Sequence, residues 1–147
     1  MSILQKSVAM FGGRAPKVIG PTTHAVIDYV VAGTFLFAGV MFWRRNKRAA
    51  IGSLACGAAT IVNSVFTDYP GGLVPEMSFQ THGRIDAGLA ALTATIPSSM
   101  GFEEEREARF FESSAIAETI VTALTDFDAV PHQALRPNPE DAWESIA

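Results

Sequence analysis

A repeated pattern, Thr-His-x-x-Ile-Asp, constrains the fold of this chain more than any other feature of its sequence. One copy starts at Thr23 and the other at Thr81, so the offset is 58 residues. A second motif, Thr-Asp-aromatic, recurs with the same offset at 67–69 and 125–127. Because two separate motifs share one register, we interpret the chain as two copies of one structural unit. The copies occupy residues 23–80 and 81–130.

The composition favours a membrane protein. Apolar residues make up 48% of the 147 residues and charged residues only 18%, and the mean hydropathy is +0.22. Soluble domains carry a higher fraction of charged residues, about 25%. The net charge of −4 argues against a nucleic-acid partner, because binding to the phosphate backbone requires a basic surface.

Four apolar segments have about the length needed to cross a bilayer. The fourth is interrupted by Glu112 and Glu118, and taken alone it could be an amphipathic helix on the membrane surface. The repeat predicts instead that it spans, as the second segment does. Both carboxylates should then face the bundle interior or a polar cavity, because an ionised side chain faces lipid only at high cost. The segments are 25–43, 49–66, 85–102 and 108–124.

The sequence therefore predicts an all-α fold, a four-helix transmembrane bundle made of two tandem helical hairpins in parallel orientation. A unit of two spans returns to the side that it left, so both copies should point the same way. We expect a multi-pass protein of the bacterial inner membrane, with the basic loop 44–48 in the cytoplasm. Residues 1–22 should form an interfacial segment with a short helix, and residues 131–147 an extended tail.

In this topology six polar residues gather at one end of the bundle, opposite the basic loop. Two interpretations stay open for them. They form a local hydrogen-bonded network that secures the helix ends, or they form a metal site or proton relay. Their spacing is not diagnostic of any particular metal. The residues are His24, Asp28, Asp68, His82, Asp86 and Asp126.

Three functional hypotheses follow. The first is a non-enzymatic accessory or scaffolding subunit that binds other membrane protein subunits, because no nucleophile–base arrangement is evident. The second is a metal- or cofactor-binding protein, redox-active or proton-relaying, that uses the paired His and Asp residues, with the cofactor unspecified. The third is a proton or ion pathway that uses Glu112 and Glu118.

The order of motifs in the second copy resembles that of the SPW-repeat membrane proteins of bacteria. His82 and Asp86 open the copy, Pro97 follows with Gly101-Phe102, and 125–127 close it. The resemblance covers roughly residues 22–130, although Ile96-Pro97-Ser98 stands where the family has Ser-Pro-Trp. It implies a small helical inner-membrane protein and assigns no catalytic residue.

Overall fold

The computed structural model describes residues 15–129, which form four α-helices. The described residues contain no β-strand, so the all-α prediction is confirmed. Of the interfacial segment expected at 1–22, residues 1–14 lie outside the described part, and so does the tail expected at 131–147. The helices are α1 (Pro21–Phe42), α2 (Lys47–Val65), α3 (Phe79–Ser99) and α4 (Ala108–Leu124).

Helices α1 and α3 begin at equivalent positions of the repeat, Pro21 and Phe79, but their first turns are stabilised differently. Pro21 occupies the first turn of α1, where its fixed φ suits the helix and its missing N–H is not needed. Helix α3 follows Ser78, whose hydroxyl accepts a hydrogen bond from the N–H of Thr81 at 3.2 Å.

Helix α3 ends earlier than the apolar segment that predicted it. The segment extends to Phe102, whereas the helix ends at Ser99 because Gly101 adopts φ +68°. The N–H of Gly101 bonds to the carbonyl of Ser98 at 3.3 Å, and that of Phe102 to the carbonyl of Pro97 at 2.8 Å. This pair of bonds satisfies the last carbonyls of α3 and turns the chain towards α4.

Both hairpin turns lie at the same end of the bundle. Asn46 donates to Glu105 at 2.7 Å, Arg48 pairs with Glu105 at 2.8 Å, and Arg45 lies 3.5 Å from Glu107. Helix α1 packs mainly against α2, and α3 mainly against α4. The two hairpins therefore run in the same direction, and the starts of α1 and α3 share the opposite end with the ends of α2 and α4.

At that opposite end each hairpin is tied to the other by equivalent backbone contacts. Ile19, before α1, forms a parallel bridge with Thr125 after α4, and Met77, before α3, forms one with Thr67 after α2. These two bridges are related by the repeat offset. Each bridge holds the residue before one hairpin against the residue after the other hairpin.

The bundle is apolar on its outside and polar in much of its interior. Val30, Phe37 and Ile116 are more than 60% exposed. Helices α1 and α2 are long and apolar enough to cross a membrane. Within the described residues α3 and α4 do not meet that criterion. The buried polar side chains are His24, Asp28, Asn46, Ser53, Thr60, Asn63, Ser64, Thr67, His82, Thr93, Glu107 and Thr125.

Candidate metal site

Four side chains from α1 and α3 converge in the interior, close to the end where both helices begin. Each offers one ligand atom, and these atoms lie within 4.8 Å of one another. In both helices the four-residue spacing puts the imidazole and the carboxylate on one face. We call this group the His/Asp cluster; it consists of His24, Asp28, His82 and Asp86.

The distances inside the His/Asp cluster are those expected between neighbouring ligands of one small cation. The Nε2 atoms of His24 and His82 are 3.2 Å apart. Asp86 Oδ2 lies 3.0 Å from the first and 2.9 Å from the second. Asp28 Oδ1 lies 3.4 Å from His24 Nε2, and Asp28 Oδ2 lies 3.1 Å from His82 Nε2. Metal bonds of about 2.0–2.1 Å in a tetrahedron separate neighbouring ligands by about 3.3–3.4 Å.

Two threonines determine which nitrogen of each imidazole carries a proton. The hydroxyl of Thr125 donates to the carbonyl of Val121 at 2.7 Å, and that of Thr67 donates to the carbonyl of Asn63 at 2.6 Å. Each hydroxyl oxygen must therefore accept from the imidazole Nδ1 that lies 2.8 Å away, His24 for Thr125 and His82 for Thr67. In the neutral imidazole, Nε2 is then left with a free lone pair directed into the cluster.

The carboxylates are held by donors from α2 and the loop after it. Asp28 Oδ2 accepts from the hydroxyls of Tyr69 at 2.8 Å and Ser64 at 3.2 Å. Asp86 Oδ1 accepts from the amide of Asn63 at 2.8 Å. Burial, together with the negative charge of Asp28, raises the pKa of Tyr69 well above its ordinary value, so this phenol remains a hydrogen-bond donor.

This arrangement requires positive charge at its centre. Two lone pairs facing each other at 3.2 Å repel, and two carboxylates add two negative charges in a buried setting. Either protons on the imidazoles or one divalent cation would relieve the repulsion. A divalent ion would also bring the four side chains to electrical neutrality, with both imidazoles neutral as metal ligands must be.

A cavity of about 30 Å³ lies directly beyond the His/Asp cluster, deeper in the bundle. Glu118 on α4 contributes to its wall, and its Oε2 atom is buried with no hydrogen-bond partner among the described residues. The full lining comprises His24, Ile27, Asp28, Val31, Thr60, Asp86, Leu89, Glu118, Val121 and Thr122.

Not all residues singled out in the sequence join this site. Asp68 and Asp126 lie at the same end but outside the His/Asp cluster. Glu118 lines the interior cavity. Glu112, which was also expected inside, is exposed on the outer face of α4. It lies four residues after the helix begins, about 6 Å along its axis.

The residues that orient the cluster were missed in the sequence analysis. Thr67 and Thr125 precede the two aspartates of the repeated Thr-Asp-aromatic motif. Their equivalent positions in the two copies indicate a shared role, but the sequence analysis selected the neighbouring aspartates, because carboxylates are commoner metal ligands than hydroxyls. Asn63 and Tyr69 have no counterpart of the same type in the second copy, where Val121 and Phe127 stand.

Comparison with known proteins returned no match among protein-family models, curated proteins or solved structures. The resemblance to the SPW-repeat proteins therefore stays a prediction.

Proposed function

We propose that this chain is a four-helix integral membrane protein that binds a divalent transition-metal ion at the His/Asp cluster. One observation carries the proposal: the two Nε2 atoms face each other at 3.2 Å while both Nδ1 protons are held by threonine hydroxyls. Two neutral imidazoles alone would place two acceptors against each other, so the geometry calls for positive charge between them, and a divalent ion supplies it while also neutralising Asp28 and Asp86.

The ligand types indicate which ions fit. Imidazole nitrogen suits zinc, iron, copper and nickel, and carboxylate oxygen suits harder ions such as manganese and magnesium. A set of two imidazoles and two carboxylates lies between these extremes and favours Zn²⁺ or Fe²⁺. Of the two, Zn²⁺ fits better, because it has no electronic preference for six ligands and accepts four or five.

The distribution of polarity supports insertion in a bilayer. Large apolar side chains are exposed on all four helices, as with Val40, Val62, Leu92 and Ile120. A surface of this kind would drive aggregation in water but matches lipid. With the basic loop 44–48 in the cytoplasm, the His/Asp cluster lies at the outer end of a multi-pass protein of the inner membrane.

The test is the metal content of the full-length protein purified in mild detergent, measured by elemental analysis after exposure to zinc and iron. Wild type should retain a stoichiometric ion. Asp28→Asn combined with Asp86→Asn should lose it, because two anionic ligands become neutral. Asp68→Asn combined with Asp126→Asn is the matched control, since it makes the same chemical change at the same end of the bundle.

A wild-type protein that binds neither metal would refute the metal site and favour a protonated histidine pair. Equal loss of metal in both double variants would show that general charge at this end matters, rather than the His/Asp cluster. Circular dichroism on every variant verifies that the helices persist.

The accessory-subunit role expected from the sequence stays a prediction beside this proposal. Its supporting observation is an open apolar groove between α3 and α4, lined by Ala87, Ala91 and Ile116 among others, which another membrane helix or lipid would fill. Co-purification from gently solubilised native membranes tests it, and isolation of the chain alone would count against it.

A further inference from the structure

The cavity beyond the His/Asp cluster lies between the two copies of the repeat and is lined by equivalent positions of both. Val31 and Leu89 are related by the repeat offset, and so are Thr60 and Glu118. The walls therefore match in backbone position. They differ in chemistry at one pair, where the first copy has a hydroxyl and the second a carboxylate.

The duplication alone gives no structural reason for a carboxylate at Glu118. The equivalent Thr60 satisfies its hydroxyl locally by donating to the carbonyl of Cys56 at 3.0 Å. Glu118 instead leaves Oε2 buried without a partner among the described residues. A buried acceptor in this state costs about 1–3 kcal/mol unless a donor reaches it.

The cavity is large enough to supply that donor. A water molecule needs about 10–15 Å³ of space measured with a water-sized probe, and this cavity offers about 30 Å³. Three members of the His/Asp cluster, His24, Asp28 and Asp86, form part of its wall. A water held here would have Glu118 on one side and the proposed metal position on the other.

We propose that the metal centre keeps an inner coordination position, open to this cavity, that binds a water-sized protic ligand hydrogen-bonded to Glu118. The inference rests on the proposed metal site. It makes the site five-coordinate, with the four side chains of the His/Asp cluster and one exchangeable ligand, rather than a closed tetrahedral one. The ligand is water or hydroxide, and its O–H group donates a hydrogen bond to the carboxylate of Glu118.

Cobalt substitution tests this inference in the full-length protein, because the visible absorption of Co²⁺ reports its coordination number. Wild type should show the weak bands of a five-coordinate ion. Glu118→Leu should bind the same amount of cobalt, yet its bands should gain intensity several-fold, because leucine has no acceptor for the additional ligand and that ligand leaves. Glu112→Leu is the matched control, with the same chemical change on the exposed face of the same helix, and should give the wild-type spectrum.

The outcomes separate this inference from the proposed function. Stoichiometric cobalt with identical spectra in wild type and Glu118→Leu overturns the open position and leaves the metal site standing. A four-coordinate spectrum in wild type also overturns the open position alone. Failure of wild type to bind cobalt or zinc overturns both proposals. A spectral change in Glu112→Leu equal to that in Glu118→Leu overturns the role of the cavity.

Discussion

At the scale of single residues, two threonines orient the imidazoles of the His/Asp cluster. The hydroxyls of Thr67 and Thr125 each donate a hydrogen bond to a backbone carbonyl and so accept one from an imidazole Nδ1. Partners of this kind fix the tautomer and the ring orientation of metal-binding histidines. Because the two contacts are related by the repeat, they should contribute similar amounts.

We predict that Thr67→Val and Thr125→Val each weaken zinc affinity by about 10–100-fold, as loss of such an orienting partner does elsewhere. Competition against a chromophoric chelator measures the change. Thr67→Ser and Thr125→Ser keep the hydroxyl and should remain near wild type. Valine variants with unaltered affinity would mean that the hydroxyls do not set the tautomer.

Tyr69 breaks the symmetry of the site, because its counterpart in the second copy is Phe127. The Tyr69 hydroxyl donates to Asp28 at 2.8 Å, whereas Phe127 packs its ring edge-on against His24 at 5.3 Å. Tyr69→Phe should reduce the free energy of unfolding by about 1.5–3 kcal/mol, the range for a hydrogen bond to a charged group. Thermal unfolding in detergent measures it, and an unchanged midpoint would contradict a strong Tyr69–Asp28 bond.

The four side chains of the His/Asp cluster could be predicted from the sequence, whereas the residues that hydrogen-bond to them could not, for a physical reason. Four-residue spacing on a predicted helix places His24 beside Asp28 without knowledge of the fold. Whether Thr67 or Asp68 points inwards depends on where α2 ends, and helix ends are uncertain by one or two residues from sequence. The helix ends at Val65, which puts Thr67 in the interior and leaves Asp68 outside the cluster.

At the scale of helices, glycine governs how closely the second hairpin packs around the site. A Cβ atom on Gly83 would lie 2.6 Å from the ring of Phe127, which contacts His24. Gly88, on the same helix, has no atom within 4 Å of such a Cβ. The two glycines therefore form a matched pair for testing the packing.

We predict that Gly83→Ala lowers the free energy of unfolding by about 1–3 kcal/mol, the usual cost of overpacking, and displaces Phe127. Gly88→Ala should be neutral or stabilising by up to about 1 kcal/mol, because alanine favours the helix. Thermal unfolding of both variants is the measurement. Equal effects would show that the approach of Phe127 to α3 is not tight.

The apolar runs of the sequence predict the four helices, but they do not predict where most of these helices begin and end. The run 108–124 coincides with α4, since charges and the Thr-Asp motif bound it on both sides. Helix α3 begins six residues before its apolar run because Ser78 caps it, and it ends before the run does because of Gly101. Hydropathy locates what is buried or lipid-facing, whereas caps determine where a helix starts and stops.

At the scale of the whole molecule, buried polar side chains lie beside an apolar core, and large apolar side chains are also exposed on the outside. The interior holds histidine, aspartate, asparagine, serine and threonine side chains together with a cluster of phenylalanines and alanines, while Val30, Phe37 and Ile116 are exposed. We predict that the protein stays in the membrane fraction after an alkaline carbonate wash and is released only by detergent. Release by carbonate would show that it is peripheral and would contradict the spanning bundle.

X-ray absorption at the zinc edge of the zinc-loaded, full-length protein tests the central claim most directly, because it reports the ligands of the ion itself. The proposed site predicts a shell of nitrogen and oxygen ligands at about 2.0–2.1 Å, with the outer-shell scattering of two imidazole rings. A first shell containing sulfur from Cys56, or one without imidazole scattering, would place the metal elsewhere and contradict the account.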